Sequence, residues 1–339
     1  MIKGTTKLLG VIGYPIAHSL SPAMHNAAIS HLGVDFVYLP FPVKPEDLKA
    51  ALAGFEAIDL RGFSITIPHK QAILPLLAEV SPIARAIGAV NTVYRTDKGW
   101  CGTNTDVEGF LAPLQTGGFQ TFQSDSDPPH RAGTGAPPLP RGENSLKVPL
   151  LKGDLGGSPG LKTPLGRASD WSQKVAVILG NGGAARAVVA GCAQLGFAEI
   201  HVVGRSAPNL AEFQQSWANS PMPVQNLQVH SWDNLSMLIS QADLLVNTTP
   251  VGMHPHGEKS PVAAAALDRI SAGAIVYDLI YTPNPTQFLK DAQLRGAMPI
   301  DGLEMLVQQG AAALKIWLDT ESVPVDVMRQ ALRQHLGLD

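Results

Sequence analysis

The segment SITIPHK, residues 64–70, sets a hydroxyl at Thr66 and an amine at Lys70 close to the end of a short strand. Its first four residues alternate small polar and β-branched side chains, as a pleated strand does, and Pro68 lacks the amide hydrogen needed to continue one. Open α/β sheets bind their ligands just past the ends of their strands. The segment therefore predicts a ligand beside Thr66 and Lys70. The alternative is a plain strand followed by a solvated lysine.

Two further polar clusters lie at predicted strand ends. One is the run from His18 to Pro22, and the other joins Asn91-Thr92 to Asn104-Thr105-Asp106. With Thr66 and Lys70 they provide hydroxyls, amides, one amine and one carboxylate. This set suits a small polyhydroxylated anion, which needs many hydrogen bonds and little charge. The alternative is that the clusters act only as helix caps.

A glycine-rich turn opens the second half of the chain. Gly180-Asn181-Gly182-Gly183-Ala184-Ala185 fits the pattern G-x-G-x-x-A between the apolar run KVAVIL and a helix-like segment. Gly180 permits the tight turn, Gly182 lets a pyrophosphate approach the backbone, and Ala185 allows close packing of helix and strand. The free amides of the helix N-terminus attract phosphate. The turn predicts a dinucleotide site. The alternative is a glycine turn that serves packing alone.

The end of the next predicted strand indicates which dinucleotide is bound. That strand ends in Gly204-Arg205-Ser206, where an NAD site usually carries an acid for the ribose hydroxyls. Arginine suits a dianionic 2′-phosphate, which a carboxylate would repel. We therefore expect NADP(H), the alternative being that Arg205 is an ordinary solvated residue.

Composition narrows the class of protein. The chain has 339 residues, a net charge of -3 and a pI near 6.4, which disfavours nucleic acid and membrane surfaces as partners. Two cysteines, Cys101 and Cys192, do not make a disulfide framework, so we expect a cytoplasmic protein. His18, His25 and His69 lack the spacing and acidic company of a zinc site, and we expect no metal.

The order of strand-like and helix-like segments predicts two α/β domains. We expect residues 1–115 and 303–339 to form one domain and 173–302 a Rossmann-type domain with a parallel sheet. Between them, residues 116–172 carry 8 prolines and 10 glycines and show no period, which predicts a disordered linker or insertion. The competing interpretation is a partner-binding arm around PPLPRG.

Individual elements of the first half can also be predicted. We expect a helix that Ser21 caps and Gly33 ends, and another over residues 45–54. Residues 72–80 and 82–87 both have helical patterns. The segment AVNTVYRTDKGWCGTNTD predicts a hairpin that turns at residues 96–99.

Eight ordered motifs together resemble the shikimate dehydrogenase family. They are HSLSPAMHN, SITIPHK, GAVNT, GTNTD, GNGGAARA, NTTPVGM, YDLIYTP and DGLEMLVQQGA. The resemblance covers nearly the whole chain outside residues 116–172. It implies two α/β domains with a cleft between them, C-terminal helices that return to the first domain, and the reversible NADPH-dependent reduction of 3-dehydroshikimate to shikimate.

The resemblance also implies roles for individual residues. Lys70 and Asp106 would be the catalytic pair. Six residues would bind the substrate: Ser19, Ser21, Thr66, Asn91, Tyr281 and Gln309. The cofactor would be bound by Gly180, Asn181, Gly182, Gly183, Ala184, Gly204, Arg205, Ser206, Thr248, Gly302 and Met305. The chain departs from the family pattern at Ser64, where Asn is common, and at residues 204–206, where Asn-Arg-Thr is common.

Two alternatives to this activity stay open at the level of sequence. A quinate or dual quinate/shikimate dehydrogenase would share these motifs, since a pocket rejects one added hydroxyl poorly. A non-catalytic NADP-binding regulator would keep the fold, although it would not need Lys70 and Asp106. The chain is expected to act on a small molecule as a monomer or a homodimer.

Overall fold

The computed structural model describes residues 2–116 and 170–338, which form two six-stranded sheets covered by helices. This confirms the predicted fold class of two α/β units. The predicted disorder of the segment 116–172 lies, apart from its ends, outside the described residues.

The first sheet is mixed. Its strands are β1 (Lys7–Gly13), β2 (Phe36–Pro42), β3 (Gly62–Ile65), β4 (Glu79–Val80), β5 (Thr92–Thr96) and β6 (Gly99–Thr103). Their order is β2-β1-β3-β5-β6-β4. Strand β1 runs parallel to both β2 and β3, whereas β5 is antiparallel to β3 and to β6. The predicted hairpin is therefore present, and the start of β5 is brought next to the end of β3.

Five helices accompany this sheet: α1 (Ser21–Leu32), α2 (Leu48–Ala57), α3 (His69–Ala72), α4 (Pro82–Ile87) and α5 (Asp106–Thr116). Gly33 ends α1 in the left-handed conformation, with φ 66°, as its position after the helix predicts. The helices α3 and α5 begin directly after polar motifs, so each presents its first residues at the edge of the sheet.

The second sheet is wholly parallel. Its strands are β7 (Val175–Leu179), β8 (Glu199–Gly204), β9 (Leu227–Ser231), β10 (Leu244–Asn247), β11 (Ile275–Asp278) and β12 (Met298–Ile300). Their order is β12-β11-β10-β7-β8-β9, so the chain runs outward from β7 in one direction and then from β10 in the other. Ligands bind at such a reversal point, beyond the carboxyl ends of the strands. Here that place lies between Gly180 and Thr248.

The described part of the second half contains seven helices: α6 (Gly183–Leu195), α7 (Ala207–Ala218), α8 (Leu235–Ile239), α9 (Ala264–Leu267), α10 (Gln287–Gln293), α11 (Leu303–Leu318) and α12 (Val325–Leu336). No helix in the described ranges is long and apolar enough to cross a membrane.

The last two helices pack on the first half of the chain. Helix α11 contacts α5 and α1, and α12 contacts α1. Trp317 of α11 donates its indole hydrogen to the carbonyl oxygen of Val93 in β5, at 2.9 Å. The C-terminal helices therefore return to the first sheet, as expected.

The helix α5 lies at the junction of the two halves. It contacts α6 as well as α11, and Phe110 stacks on Tyr277 of β11 with ring centroids 5.4 Å apart. One apolar cluster therefore continues from the second sheet onto the first half. The exact domain boundaries stay a prediction.

Two local predictions were wrong, and a third was correct in type but not in its bounds. Residues 72–80 are not one helix: α3 ends at Ala72, a short 3₁₀ turn follows, and Glu79–Val80 pair with β6. Ser21 does not cap α1, because Leu20 occupies the cap position and no side chain bonds there. The helix predicted over 45–54 is a 3₁₀ turn followed by α2, which extends to Ala57. In the first of these cases pairing with β6 overrides the local pattern.

Candidate active site

Lys70 and Asp106 form an ion pair at the edge of the first sheet. Helix α3 is held there by His69, whose Nε2 lies 2.7 Å from the Val43 carbonyl oxygen, and by the amide of Val90, which donates to the Lys70 carbonyl at 2.8 Å. From this position Lys70 Nζ donates to Asp106 Oδ2 at 2.6 Å. The two side chains are 19% and 7% exposed. The ammonium is thus close to solvent, while the carboxylate is enclosed.

Asn91 fixes the other side of that carboxylate. It is 2% exposed and directly precedes β5. Its Nδ2 donates to Asp106 Oδ1 at 2.8 Å and to Thr105 Oγ1 at 2.9 Å, while its Oδ1 accepts the Thr105 amide at 2.8 Å. The Asn91 amide also lies 3.4 Å from Gln309 Oε1 on α11. Both carboxylate oxygens are engaged, so Asp106 is held in one orientation that aims Lys70.

A cavity of about 220 Å³ opens beside the ion pair. All six residues predicted to bind substrate line it: Ser19, Ser21, Thr66, Asn91, Tyr281 and Gln309. Lys70 and Asp106 form part of the same wall, and apolar residues such as Ile16 and Leu306 complete it. The cavity has room for one small molecule and offers it mostly hydroxyl and amide partners. This matches the polyhydroxylated anion that the sequence predicts.

Two further polar residues line the cavity, and the family resemblance assigns neither of them a role in binding. They are His18 and Ser64. The Ser64 side chain is buried, and its hydroxyl lies near the buried Tyr38 hydroxyl. Its spacing from Thr66 is a signal that could have identified it, since side chains two apart on a strand share a face.

A cluster of buried aromatic side chains supports helix α1 beneath the cavity. His25 stacks on Tyr38, with ring centroids 4.2 Å apart and planes 18° apart. Burial lowers the pKa of His25 from 6.5 to about 3, so this imidazole stays neutral. Burial likewise raises the pKa of Tyr38 above its ordinary value. Neither group is charged near neutral pH.

The glycine turn between β7 and α6 is open on one side and tightly packed on the other. Gly180 has φ 102°, and a Cβ there would lie 2.8 Å from Thr248 Oγ1, which donates to the Leu179 carbonyl at 2.7 Å. Gly180 therefore needs both the left-handed conformation and the missing side chain. A Cβ at Gly182 would meet no atom within 4 Å, and no side chain caps α6. The helix amides are accessible to an anion.

A groove of about 440 Å³ runs along this turn. Predicted cofactor residues that line it are Gly180, Asn181, Gly182, Gly183, Ala184, Gly204, Arg205 and Thr248. Arg205 is exposed and belongs to none of the ion pairs formed by the described residues, so its charge is available to a phosphate. The open turn, the helix amides and the arginine together fit NADP(H).

The remaining predicted cofactor residues lie elsewhere. Gly302 and Met305 line the cavity rather than the groove. Ser206 lines neither, and its hydroxyl accepts the Asn209 amide at 3.4 Å as the cap of α7.

The cavity and the groove meet at Lys70. Thr66, Lys70 and Ala184 line both, and a Cβ at Gly183 would lie 3.5 Å from Lys70 Cδ. The lysine stem therefore packs against the glycine turn, while its ammonium faces Asp106. An ammonium group thus stands between a small polar cavity and the groove along the glycine turn, a position from which it can donate a proton to a carbonyl oxygen bound in the cavity.

Comparison with known proteins identifies the family. The shikimate dehydrogenase substrate binding domain matches residues 11–93, and the shikimate 5′-dehydrogenase C-terminal domain matches residues 302–333. A protein of Trichormus variabilis named shikimate dehydrogenase (NADP(+)) is 58% identical over 338 residues, with 100% of each chain covered. The chain belongs to the shikimate dehydrogenase family.

Solved structures of shikimate dehydrogenases have the same fold. One, a complex with NADP+, is 31% identical, has a TM-score of 0.75, and aligns over 99% of this chain and 98% of its own. The Thermus thermophilus shikimate 5-dehydrogenase, a complex with NADP(H) and shikimate, is 29% identical with a TM-score of 0.72. That alignment covers 97% of this chain and 99% of the Thermus chain. The described residues therefore have the fold of these shikimate dehydrogenase structures.

Proposed function

We propose that this protein catalyses the reversible NADPH-dependent reduction of 3-dehydroshikimate to shikimate, a step of aromatic amino-acid biosynthesis. The observation that carries the proposal is the Lys70–Asp106 pair, 2.6 Å apart, between the polar cavity and the glycine turn. The full-length relative named shikimate dehydrogenase (NADP(+)) supports the choice of substrate and cofactor.

The cavity residues divide by chemistry. Ser19 and Ser21 lie near the start of α1 and can donate two hydroxyl hydrogens to the substrate carboxylate. Thr66, Asn91 and Gln309 provide partners for ring oxygens, and Tyr281 closes one side of the cavity. The substrate's single negative charge is bound mainly by neutral donors, which leaves the Lys70 ammonium for the reacting oxygen.

NADPH, when bound along the groove, supplies a hydride to the substrate ketone. Lys70 Nζ donates a hydrogen bond to the ketone oxygen, stabilises the negative charge that develops there, and can deliver its proton. Asp106 holds the ammonium in place through the 2.6 Å hydrogen bond that Lys70 Nζ donates to its Oδ2. In the oxidation of shikimate the amine accepts the proton instead. Lys70 and Asp106 are thus the proposed catalytic pair.

NADP(H) is the proposed cofactor because the groove offers helix amides at the glycine turn and a cation at Arg205. Helix α6 would present its uncapped amides to a pyrophosphate lying along residues 180–184, and the open space at Gly182 permits its approach. Arg205 directly follows β8, which ends at Gly204, at the place where a ribose 2′-phosphate needs a cation, and Ser206 comes next in the chain. Thr248 borders the groove, and Gly302 and Met305 border the cavity, where they would contact the nicotinamide end.

The remaining organisation is also proposed. Residues 1–115 and 303–339 would form the substrate domain and 173–302 the cofactor domain. The protein would act in the cytoplasm as a monomer or a homodimer, without nucleic acid or membrane partners.

Steady-state kinetics with shikimate and quinate, each with NADP+ and NAD+, test this function. We expect kcat/KM to be highest for shikimate with NADP+, by at least about tenfold over each alternative. A preference for quinate would assign the rival activity. The absence of turnover with both acids, by protein that binds NADPH, would identify a non-catalytic regulator instead.

A further inference from the structure

Arg186 is a buried arginine that connects the two halves of the molecule. It is the fourth residue of α6, the helix that begins at the glycine turn, and is 8% exposed. Its Nη1 donates to the Ile87 carbonyl oxygen at 3.2 Å and to Ser216 Oγ at 2.7 Å, and its guanidinium lies 4.9 Å from the Phe213 ring centroid. Ile87 ends α4 of the first half. Arg186 therefore connects α6, the helix that begins at the glycine turn, to α4 of the first half.

A second contact reinforces the same end of α4. Ser220, just after α7, donates its hydroxyl hydrogen to the Ala86 carbonyl at 2.8 Å. The last carbonyls of a helix lack partners within it and carry partial negative charge, so they favour donors and cations. Two side chains of the second half thus satisfy the C-terminus of α4.

The segment that follows α4 leads directly into the catalytic pair. Ala89 accepts a hydrogen bond from Asn104 at 3.0 Å, and the Val90 amide donates to the Lys70 carbonyl at 2.8 Å. The next residue, Asn91, binds the Asp106 carboxylate. Residues 87–91 therefore link Arg186 on the cofactor helix to Lys70 and Asp106 through four consecutive contacts.

The placement of Arg186 does not suit a direct role in binding phosphate. A cation in the first turn of a helix opposes the helix dipole, unless it contacts an anion. Arg186, however, does not line the cofactor groove and belongs to none of the ion pairs of the described residues. Its guanidinium contacts the Ile87 carbonyl, the Ser216 hydroxyl and the Phe213 ring on the side of α6 that meets α4, and the charge of Glu212 in α7 also acts on it.

We propose that Arg186 is a positioning residue that holds the cofactor helix α6 against α4, and so sets the distance between the glycine turn and the Lys70–Asp106 pair. The proposal rests on the proposed function insofar as that distance governs hydride transfer. Positional errors of about 1 Å can cost about 10²-fold in rate. Loss of Arg186 should therefore lower kcat without weakening cofactor binding.

Arg186→Met tests this, because it keeps most of the side-chain volume and removes the donors. We expect kcat for shikimate oxidation to fall at least about tenfold, while the dissociation constant of NADPH, measured by fluorescence, changes less than about threefold. The kinetic isotope effect on kcat, measured with shikimate that carries deuterium on the carbon whose hydroxyl is oxidised, should increase, because hydride transfer becomes more rate-limiting. Arg295→Met is the matched control, since Arg295 donates to the Asp291 carbonyl within the second half alone at 2.8 Å; its kcat should stay unchanged.

A physical readout keeps the test independent of turnover. Spin labels at Lys49→Cys and Gln241→Cys, both exposed and one in each half, report the distance between the halves by pulsed electron paramagnetic resonance. Arg186→Met should broaden that distance distribution, and Arg295→Met should not. Ser220→Ala, a milder change to the same helix end, should act in the same direction if Arg186→Met does not fold.

Different results separate the two proposals. Wild-type protein without shikimate turnover would refute the proposed function, yet the spin-label comparison would still test Arg186. A folded Arg186→Met with unchanged kcat and unchanged distances, or one in which only NADPH affinity falls, would overturn the positioning role. If Arg186→Met is unfolded, the positioning role would be overturned by a Ser220→Ala variant whose kcat and distance distribution are both unchanged.

Discussion

The substitution Lys70→Met isolates the contribution of one ammonium group. Methionine keeps an unbranched stem that can pack against Gly183, near which Lys70 Cδ lies, but it carries no proton donor. The Asp106 side chain, 7% exposed, would keep its bond from Asn91 on Oδ1 and lose its partner on Oδ2. The substitution therefore removes a proton donor from the site and also leaves the enclosed Asp106 carboxylate without its cation.

The two effects have separate magnitudes. A positioned acid or base contributes about 10²–10⁴-fold, which corresponds to about 2.7–5.4 kcal/mol of transition-state stabilisation. We expect kcat to fall by that factor, with a smaller effect on the KM for shikimate. Removing one partner of a buried ion pair costs about 3–5 kcal/mol of folding stability, and the enclosed Asp106 carboxylate should bring the loss toward this range.

A set of three variants distinguishes these effects. Steady-state kinetics and urea unfolding are measured for Lys70→Met, for Lys70→Met/Asp106→Asn, and for Lys98→Met, in which an exposed ion pair of the same 2.6 Å length is broken. The double variant should recover stability but have no higher kcat than Lys70→Met, whereas Lys98→Met should retain both properties. A kcat for folded Lys70→Met within tenfold of wild type would refute the assignment of Lys70 to the chemistry.

Three further predictions concern the surrounding structure. His25 has a pKa of about 3 in the folded state and 6.5 ordinarily, so it should lower the free energy of unfolding as the pH falls below 6.5, by about 2 kcal/mol at pH 5. His25→Phe, which can still stack on Tyr38, should abolish this loss when urea unfolding is compared at pH 5 and 7.5. An unchanged pH dependence in this variant would contradict the assignment. Arg205→Ser should raise the KM for NADPH about 10–100-fold, because a charged hydrogen bond contributes about 1.5–3 kcal/mol. It should leave kcat/KM for NADH, which has no 2′-phosphate, unchanged. Equal losses with both cofactors would exclude a 2′-phosphate contact. Gly62→Ala should lower stability by at least about 1–3 kcal/mol, because the new Cβ would overlap the Trp317 ring; unchanged thermal unfolding would show that α11 can shift freely.

The parts of the fold that the sequence predicts are those with strong local signals. The glycine turn at Gly180 requires a positive φ and a missing side chain, and this requirement is visible as a pattern. The hairpin of β5 and β6 likewise follows from alternation around a turn. Residues 72–80 have a helix-like pattern, but Val80 pairs with Gly102 of β6, a partner that no local window contains.

The same distinction applies to the site. The motifs place Lys70, Asp106 and Gln309 in one cavity only by resemblance, because no local rule connects positions so far apart in the chain. The orienting role of Asn91 depends on partners 14, 15 and 218 residues away. The link from Arg186 to Ile87 spans 99 residues, and only the folded chain reveals it.

Transfer of a labelled hydrogen tests the central claim most directly. Purified protein is mixed with 3-dehydroshikimate and NADPH that carries deuterium at the transferable position, and the shikimate formed is followed by mass spectrometry. We predict that wild type forms one singly deuterated shikimate for each NADPH consumed, and that Lys70→Met does so at least about a hundredfold more slowly. Unlabelled product, or labelled product formed equally fast by folded Lys70→Met, would contradict the account.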